Sequence, residues 1–199
     1  MLNFKNIYTI GYSSFNVDEF ISILHRHNID VIVDVRSLPF SSRFDSYNKE
    51  NIYFKLKTEN IGYLFFGKEF GARPDDRYLY TNNRVDFNKI INSKNFISVY
   101  HRILNGIKNY NICFMCSEKD PIDCHRSILI TNFIKNNIND ISITHILPDK
   151  LETQEQLDNR IIDIYNKVSY KNSLFNNNLQ NNIKLDAYKY IENKIAYRI

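Results

Sequence analysis

Cysteine is scarce in this sequence, and the scarcity excludes one class at once. The 199 residues hold three cysteines, Cys113, Cys116 and Cys124, too few and too close together for a secreted disulfide framework. The first twenty residues also lack the basic start, apolar middle and small-residue cleavage site of a signal peptide. A reducing cytoplasm is therefore the expected location. Long apolar runs are missing as well: charge or asparagine interrupts every hydrophobic stretch well short of the roughly 20 residues needed to span a bilayer, so no membrane partner is expected. Neither the phosphate-cradling pattern G-x-x-x-x-G-K-[ST] nor the dinucleotide pattern G-x-G-x-x-G occurs. A Cys-x5-Arg phosphatase loop is absent too, because Ile122 stands where the arginine would be. Cys116, Cys124 and His125 offer three zinc ligands where four are wanted, and no second C-x2-C or H-x3-H pair accompanies them, so no metal is expected. No cofactor follows from any motif.

What is present suits one substantial core, since 43% of the residues are hydrophobic in a chain of ordinary domain length. The formal net charge of +4 tilts the partner slightly towards a polyanion, nucleotide or phosphate. Period and punctuation alternate. IYTIGYS reads as a strand, and NVDEFISILHRHN as a helix with Asn16 as its N-cap and Val17, Phe20, Ile21 and Leu24 on one face. IDVIVDVRS is β-branched and continuously apolar to Asp34, as a central parallel strand is. A long polar and aromatic loop follows, then a helix over 49–60 and a strand over 61–66. The stretch GKEFGARPDDRYLYTNNR reads as loop, and helical pattern runs from Phe87 to Asn109. NICFMC is the next strand, HRSILITNFIKNN the next helix and SITHILP the final strand. This alternation predicts an α/β fold: a single compact domain with a mainly parallel sheet flanked by helices. An α/β core over 1–150 carries a helical extension over 151–199, with an Asn-rich linker at 172–182 and a C-terminal helix docking back on the core.

In a parallel sheet, ligands bind beyond the carboxyl ends of the strands. Three polar clusters fall there: Gly11, Tyr12 and Ser13; Asp34, Arg36 and Ser37; and Cys116 with Glu118 and Lys119. The turn CSEKDPIDCHR then opens a helix at Cys124, His125 and Arg126, where free N–H groups and the positive end of the dipole lower a thiol's pKa and attract anions. Arg36, Arg43 and Arg126 suit bidentate gripping of a carboxylate or phosphate; Lys119 is a point charge. Structural readings stand beside these. Cys116 and Cys124 also fit as small buried hydrophobes, His125 as a cap or carboxylate partner, and Asp34 with Arg36 as an internal ion pair. Cys113 and the histidines at 25, 27, 101 and 145 read as structural.

Taken in order, TIGYS, DVRSLP, the Ser/Arg loop with its YN pair, CSEKDPIDCHR and the terminal KIAYR resemble the domain of unknown function 488 family along nearly the whole chain. The resemblance implies a compact α/β fold and no established reaction. It marks Thr9, Gly11, Ser13, Asp34, Arg36, Pro39, Ser41, Arg43, Tyr47, Asn48, Gly71, Cys116, Glu118, Asp120, Pro121, Cys124, His125 and Arg126, with Ala196, Tyr197 and Arg198. Tyr12 stands where such proteins commonly carry histidine. The expectation is an enzyme on an anionic, nucleotide-like or nucleic-acid-derived substrate. Cys116 or Cys124 is the nucleophile, His125 the base, Asp34 or Glu118 the orienting carboxylate, and Arg36 with Arg126 the clamp. Gly11, Tyr12, Ser13, Ser41, Arg43 and Lys119 complete the site. The alternative is a non-catalytic nucleotide or nucleic-acid binding module.

Overall fold

The computed structural model describes residues 6–172 and 183–199. In chain order it runs β1 (Ile7–Gly11), α1 (Val17–Arg26), β2 (Val31–Asp34), α2 (Lys49–Thr58) and β3 (Gly62–Phe65). A small hairpin, β4 (Tyr80–Thr81) and β5 (Arg84–Val85), precedes α3 (Phe87–Ile91), α4 (Lys94–Gly106) and β6 (Ile112–Cys116). A π-helix over Arg126–Thr131 runs into α5 (Asn132–Asn137), and β7 (Ile143–Ile146), β8 (Leu151–Thr153), α6 (Gln154–Asn172) and α7 (Ile183–Ile195) complete the chain.

Six strands form one sheet in the order β3-β2-β6-β1-β7-β8, parallel at every pairing except β7 with β8. All of β6 is buried, as a central strand covered on both faces requires. Alternate residues of the same strands feed opposite layers. Ile10, Ile32 and Met115 pack with α1 and α2; Val33, Ile112 and Phe114 pack with α4, the π-helix, α6 and α7. Helix α1 starts where its sequence says it should: Asn16 Oδ1 accepts from the N–H groups of Asp18 and Glu19, and Glu19 accepts in return from Asn16 N–H at 3.1 Å. Such a capping box contributes about 1 kcal/mol.

Four details differ from the sequence reading. The stretch expected as loop contains the β4–β5 hairpin, turned by Asn82 and Asn83 at φ of 51° and 61°, the left-handed pair that matches strand twist. The helix expected from Phe87 to Asn109 breaks at Ser93, whose hydroxyl accepts from Phe96 N–H and starts α4 anew. Residues 151–153 form an antiparallel edge strand, not the start of a helix, so the sheet continues past residue 150. The helix after the CSEKDPIDCHR turn begins as π, with all six residues buried; the wider turn is a local irregularity frequent at functional sites. Helix α7 docks on α6 and on the π-helix. The Asn-rich linker lies, beyond Asn172, outside the described residues. Among the described residues, no helix is long and apolar enough to cross a membrane.

Candidate active site

Parallel register sets Gly11 beside Cys116, and Asp34 beside Met115, at the carboxyl edge of the sheet. The chain after Cys116 folds back over β1 so closely that a Cβ on Gly11 would lie 1.8 Å from the Glu118 carbonyl oxygen. Only glycine admits that approach.

The turn is fastened from two sides. From outside, Arg160 of α6 grips both oxygens of Asp120 at 2.7 and 2.9 Å and both oxygens of Glu152 at 2.9 and 2.6 Å. From inside, the fully buried Arg126 donates to the Glu118 carbonyl at 2.7 Å, the Lys119 carbonyl at 3.2 Å and Thr9 Oγ1 at 3.3 Å. The Ser127 hydroxyl donates to the Pro121 and Cys124 carbonyls, closing the helix start beneath the turn.

That fastening gathers two thiols, an imidazole and a carboxylate. Cys116 Sγ and Cys124 Sγ lie 3.0 and 2.9 Å from the same oxygen, Glu118 Oε2. His125 Nδ1 lies 3.9 Å from Cys116 Sγ, while its Nε2 lies 3.0 Å from the Val35 carbonyl. A carbonyl only accepts, so Nε2 carries the hydrogen and Nδ1 turns its lone pair to the sulfurs. Cys116, Cys124 and His125 are buried and Glu118 is exposed at the mouth. The ligand atoms of the three buried residues fall within 4.8 Å of one another, a spacing a metal ion can bridge. Contact with Cys124, then burial, pushes the Cys116 thiol well up. Burial works against ionising Cys124, but the Cys116 hydrogen bond and the charges of Arg126 and His125 bring it well below the ordinary thiol range. Burial likewise opposes an imidazolium at His125, and the Cys124 and Glu118 contacts outweigh it, so its pKa is raised.

A cavity of about 320 Å³ opens on this cluster, with Tyr12, Arg36, Phe40, Cys116, Glu118 and His125 in its walls. Arg36 is held by Asp34 through two parallel bonds, at 2.9 and 2.6 Å, and Tyr63 donates to Asp34 at 2.7 Å. The internal ion pair is therefore present, yet Arg36 also faces the cavity, and its buried Nη1 has no partner among the described residues. The guanidinium carbon sits 5.0 Å from the centre of the Tyr12 ring, which stacks in turn on Tyr47 at 4.4 Å.

The other expected site residues divide. Ser41 lines the cavity and donates its N–H to Asn48 Oδ1 at 2.6 Å. Ser13 and Arg43 line a separate cleft of about 1010 Å³ beside α1, and Lys119 is exposed, its carbonyl serving Arg126. Arg126 itself turns inward, so of the two expected clamp arginines only Arg36 stands in the cavity wall.

Sequence reasoning missed a buried polar chain behind the cluster. Arg126 reaches Thr9, Thr9 Oγ1 lies 2.9 Å from His145 Nδ1, and His145 Nε2 lies 3.2 Å from Gln154 Oε1. Gln154 continues to Asp158 and Tyr188, both at 3.0 Å, and accepts from Thr131 at 2.8 Å. Burial, then the Arg126 charge, depresses the His145 pKa to about 3, which keeps it neutral. Its central position in the last apolar strand was the available signal. Arg160 gave none, because its partners lie 40 and 8 positions away.

No curated protein and no solved structure matches the chain. A family model, described as a domain of unknown function, DUF488, matches residues 16–132. The span is shorter than the motifs suggest, leaving TIGYS and KIAYR outside, but it takes in Asp34, Arg36, both site cysteines, Glu118, His125 and Arg126. With more than half of its residues matched, and the whole Cys/His/Glu cluster among them, the chain belongs to the DUF488 family of domains of unknown function.

Proposed function

We propose that this protein is an enzyme in which Cys116 attacks a small anionic substrate, nucleotide-like or nucleic-acid-derived, anchored at Arg36. One observation carries the reading. The Cys116 sulfur shares a cavity with the lone-pair face of His125 and with Arg36, whose Nη1 is buried without a partner. An unfilled buried donor costs about 1–3 kcal/mol unless a ligand accepts from it. His125 Nδ1 takes the Cys116 proton as the sulfur bonds to the electrophilic centre, and returns it to the leaving group. Cys124 behind them provides negative charge that steadies the imidazolium, and Arg126 holds the turn in place. A reducing compartment keeps both thiols available.

Iodoacetamide labelling at neutral pH tests the proposal, with peptide mass reporting which thiol reacts. Labelling of Cys116 should depend on His125 as its base, dropping in His125→Gln, and inorganic phosphate or a nucleoside monophosphate should slow it. Labelling unaffected by His125→Gln and by either anion would sink the reading. Phe40 and Leu38, 65% and 68% exposed at the rim near Arg73, favour the second reading, a nucleotide or nucleic-acid binding module without chemistry. Salt-dependent retention of a single-stranded oligonucleotide, unchanged in Cys116→Ser and without turnover, would select it.

A further inference from the structure

We propose that Cys116, Cys124, His125 and Glu118 form a zinc site. The sequence argument against zinc was a missing fourth ligand. Glu118 supplies it: one of its oxygens lies within 3.0 Å of both sulfurs, capping the buried trio from the solvent side. Zinc bonds of roughly 2.3 Å to sulfur and 2.0–2.1 Å to nitrogen or oxygen place neighbouring tetrahedral ligands roughly 3.5–3.8 Å apart. The 3.9 Å between Cys116 Sγ and His125 Nδ1 is within a few tenths of an ångström of that length. The carboxylate contacts open by about half an ångström around such an ion, within the rotamer freedom of an exposed glutamate.

Two features outside the four ligands point the same way. A histidine that ligates through one ring nitrogen usually donates the other N–H to a carbonyl or carboxylate, which fixes its tautomer. His125 does so through Nε2 to the Val35 carbonyl, leaving Nδ1 for the metal. The second feature is charge. Arg126 is fully buried, and its partners are two carbonyls and a hydroxyl, not a carboxylate. Two thiolates and a carboxylate around a divalent cation leave one net negative charge, which a guanidinium directly behind the turn neutralises. Thiolates with imidazole select zinc over the harder magnesium or calcium.

The inference concerns the residues of the proposed active site but not its chemistry. A sulfur on zinc is withdrawn from attack, so metal occupancy and a free Cys116 nucleophile are alternative states, and zinc controls the thiol. The test titrates reduced, chelator-stripped full-length protein with cobalt(II) and then zinc(II). One equivalent of cobalt should give the intense visible bands of a tetrahedral ion and a sulfur-to-metal charge-transfer band in the near ultraviolet. Zinc should erase both and block iodoacetamide at Cys116. Cys124→Ser should lose the charge-transfer intensity of one sulfur, and Glu118→Gln should weaken binding by about 10–100-fold, a loss of the size seen when a metal site's support is removed. Lys57→Ala, on the exposed side of α2, should bind as the parent does. Glu118 is exposed, so its variant folds even where a cysteine variant does not, and circular dichroism checks both. A weak octahedral cobalt spectrum, or tetrahedral bands unchanged in both Cys124→Ser and Glu118→Gln, overturns the site. Stripped protein whose Cys116 labelling depends on His125 and is slowed by phosphate, yet leaves cobalt octahedral, refutes zinc and keeps the thiol reading. Tight cobalt binding with labelling that neither His125→Gln nor phosphate changes does the reverse.

Discussion

Two buried polar regions meet at Arg126, and they are built to opposite specifications. The chain from Thr9 through His145 to Gln154, Asp158 and Tyr188 is closed: each donor in it has an acceptor, and the imidazole is held neutral. The cluster of Cys116, Cys124, His125 and Glu118 is open: it shares one carboxylate oxygen between two sulfurs, presents a ring lone pair, and borders a cavity walled by an arginine with an unmatched donor. Burial and polarity are common to both. What separates a structural network from a candidate site is unspent bonding capacity facing a space that a ligand can enter.

Arg126→Leu strikes both regions at once and should have the largest effect. It leaves the Glu118 and Lys119 carbonyls and Thr9 without their donor at about 1–3 kcal/mol for each group, so a loss of roughly 3–4 kcal/mol in urea unfolding is expected, with the anion protection of Cys116 lost as well. A stable Arg126→Leu protein with unchanged labelling would mean the regions are independent. Gln154→Leu strikes only the closed region. It should cost about 2 kcal/mol and leave labelling as it is; altered labelling would show that the network tunes the thiols. His145→Gln isolates one titration in that network. Because its folded pKa of about 3 lies below the ordinary 6.5, the unfolded chain takes up the proton first. Its stabilising contribution is complete above about pH 6.5 and is lost as pH falls from there towards 3, at up to about 1.4 kcal/mol per pH unit. Parent and variant unfolding curves compared across that window should converge as pH falls; parallel curves would contradict a neutral His145. His125→Gln strikes only the open region and should move stability least, by under about 1 kcal/mol, since the amide N–H still reaches the Val35 carbonyl. Labelling of Cys116 should fall by roughly ten- to a hundredfold, and an unchanged rate would remove His125 as the base.

The fold was largely legible because the decisive signals were local. The β-branched runs ending at Asp34 and Cys116 identify central parallel strands, and Asn16 with Glu19 marks a helix start within four residues. The hairpin at Tyr80–Val85 was read as loop: the Asn82-Asn83 pair was the available signal, but its strands are two residues long and carry no alternation. The π-turn left no trace, since RSILIT is apolar enough for either helix. At the site, the sequence placed Cys116, Glu118, His125 and Arg36 along one sheet edge, because parallel strands must end together. It misjudged Arg126, assuming that an arginine at a helix start faces outward, where the Glu118 and Lys119 carbonyls instead draw it under the turn. The Arg160–Asp120 clamp depends on how α6 returns across the fold, which no local pattern encodes.

That clamp has a consequence in time. The ribosome adds about 5–20 residues each second, so Arg160 follows Cys124 by a few seconds, and α7 comes later still. All the strands of the sheet precede α6 and can pair while the turn still lacks its outer fastening. The nascent protein thus passes through an interval in which its most reactive groups are assembled but not yet locked. A chain truncated before α6 would lack both that fastening and the helices α6 and α7, which help to cover one face of the sheet.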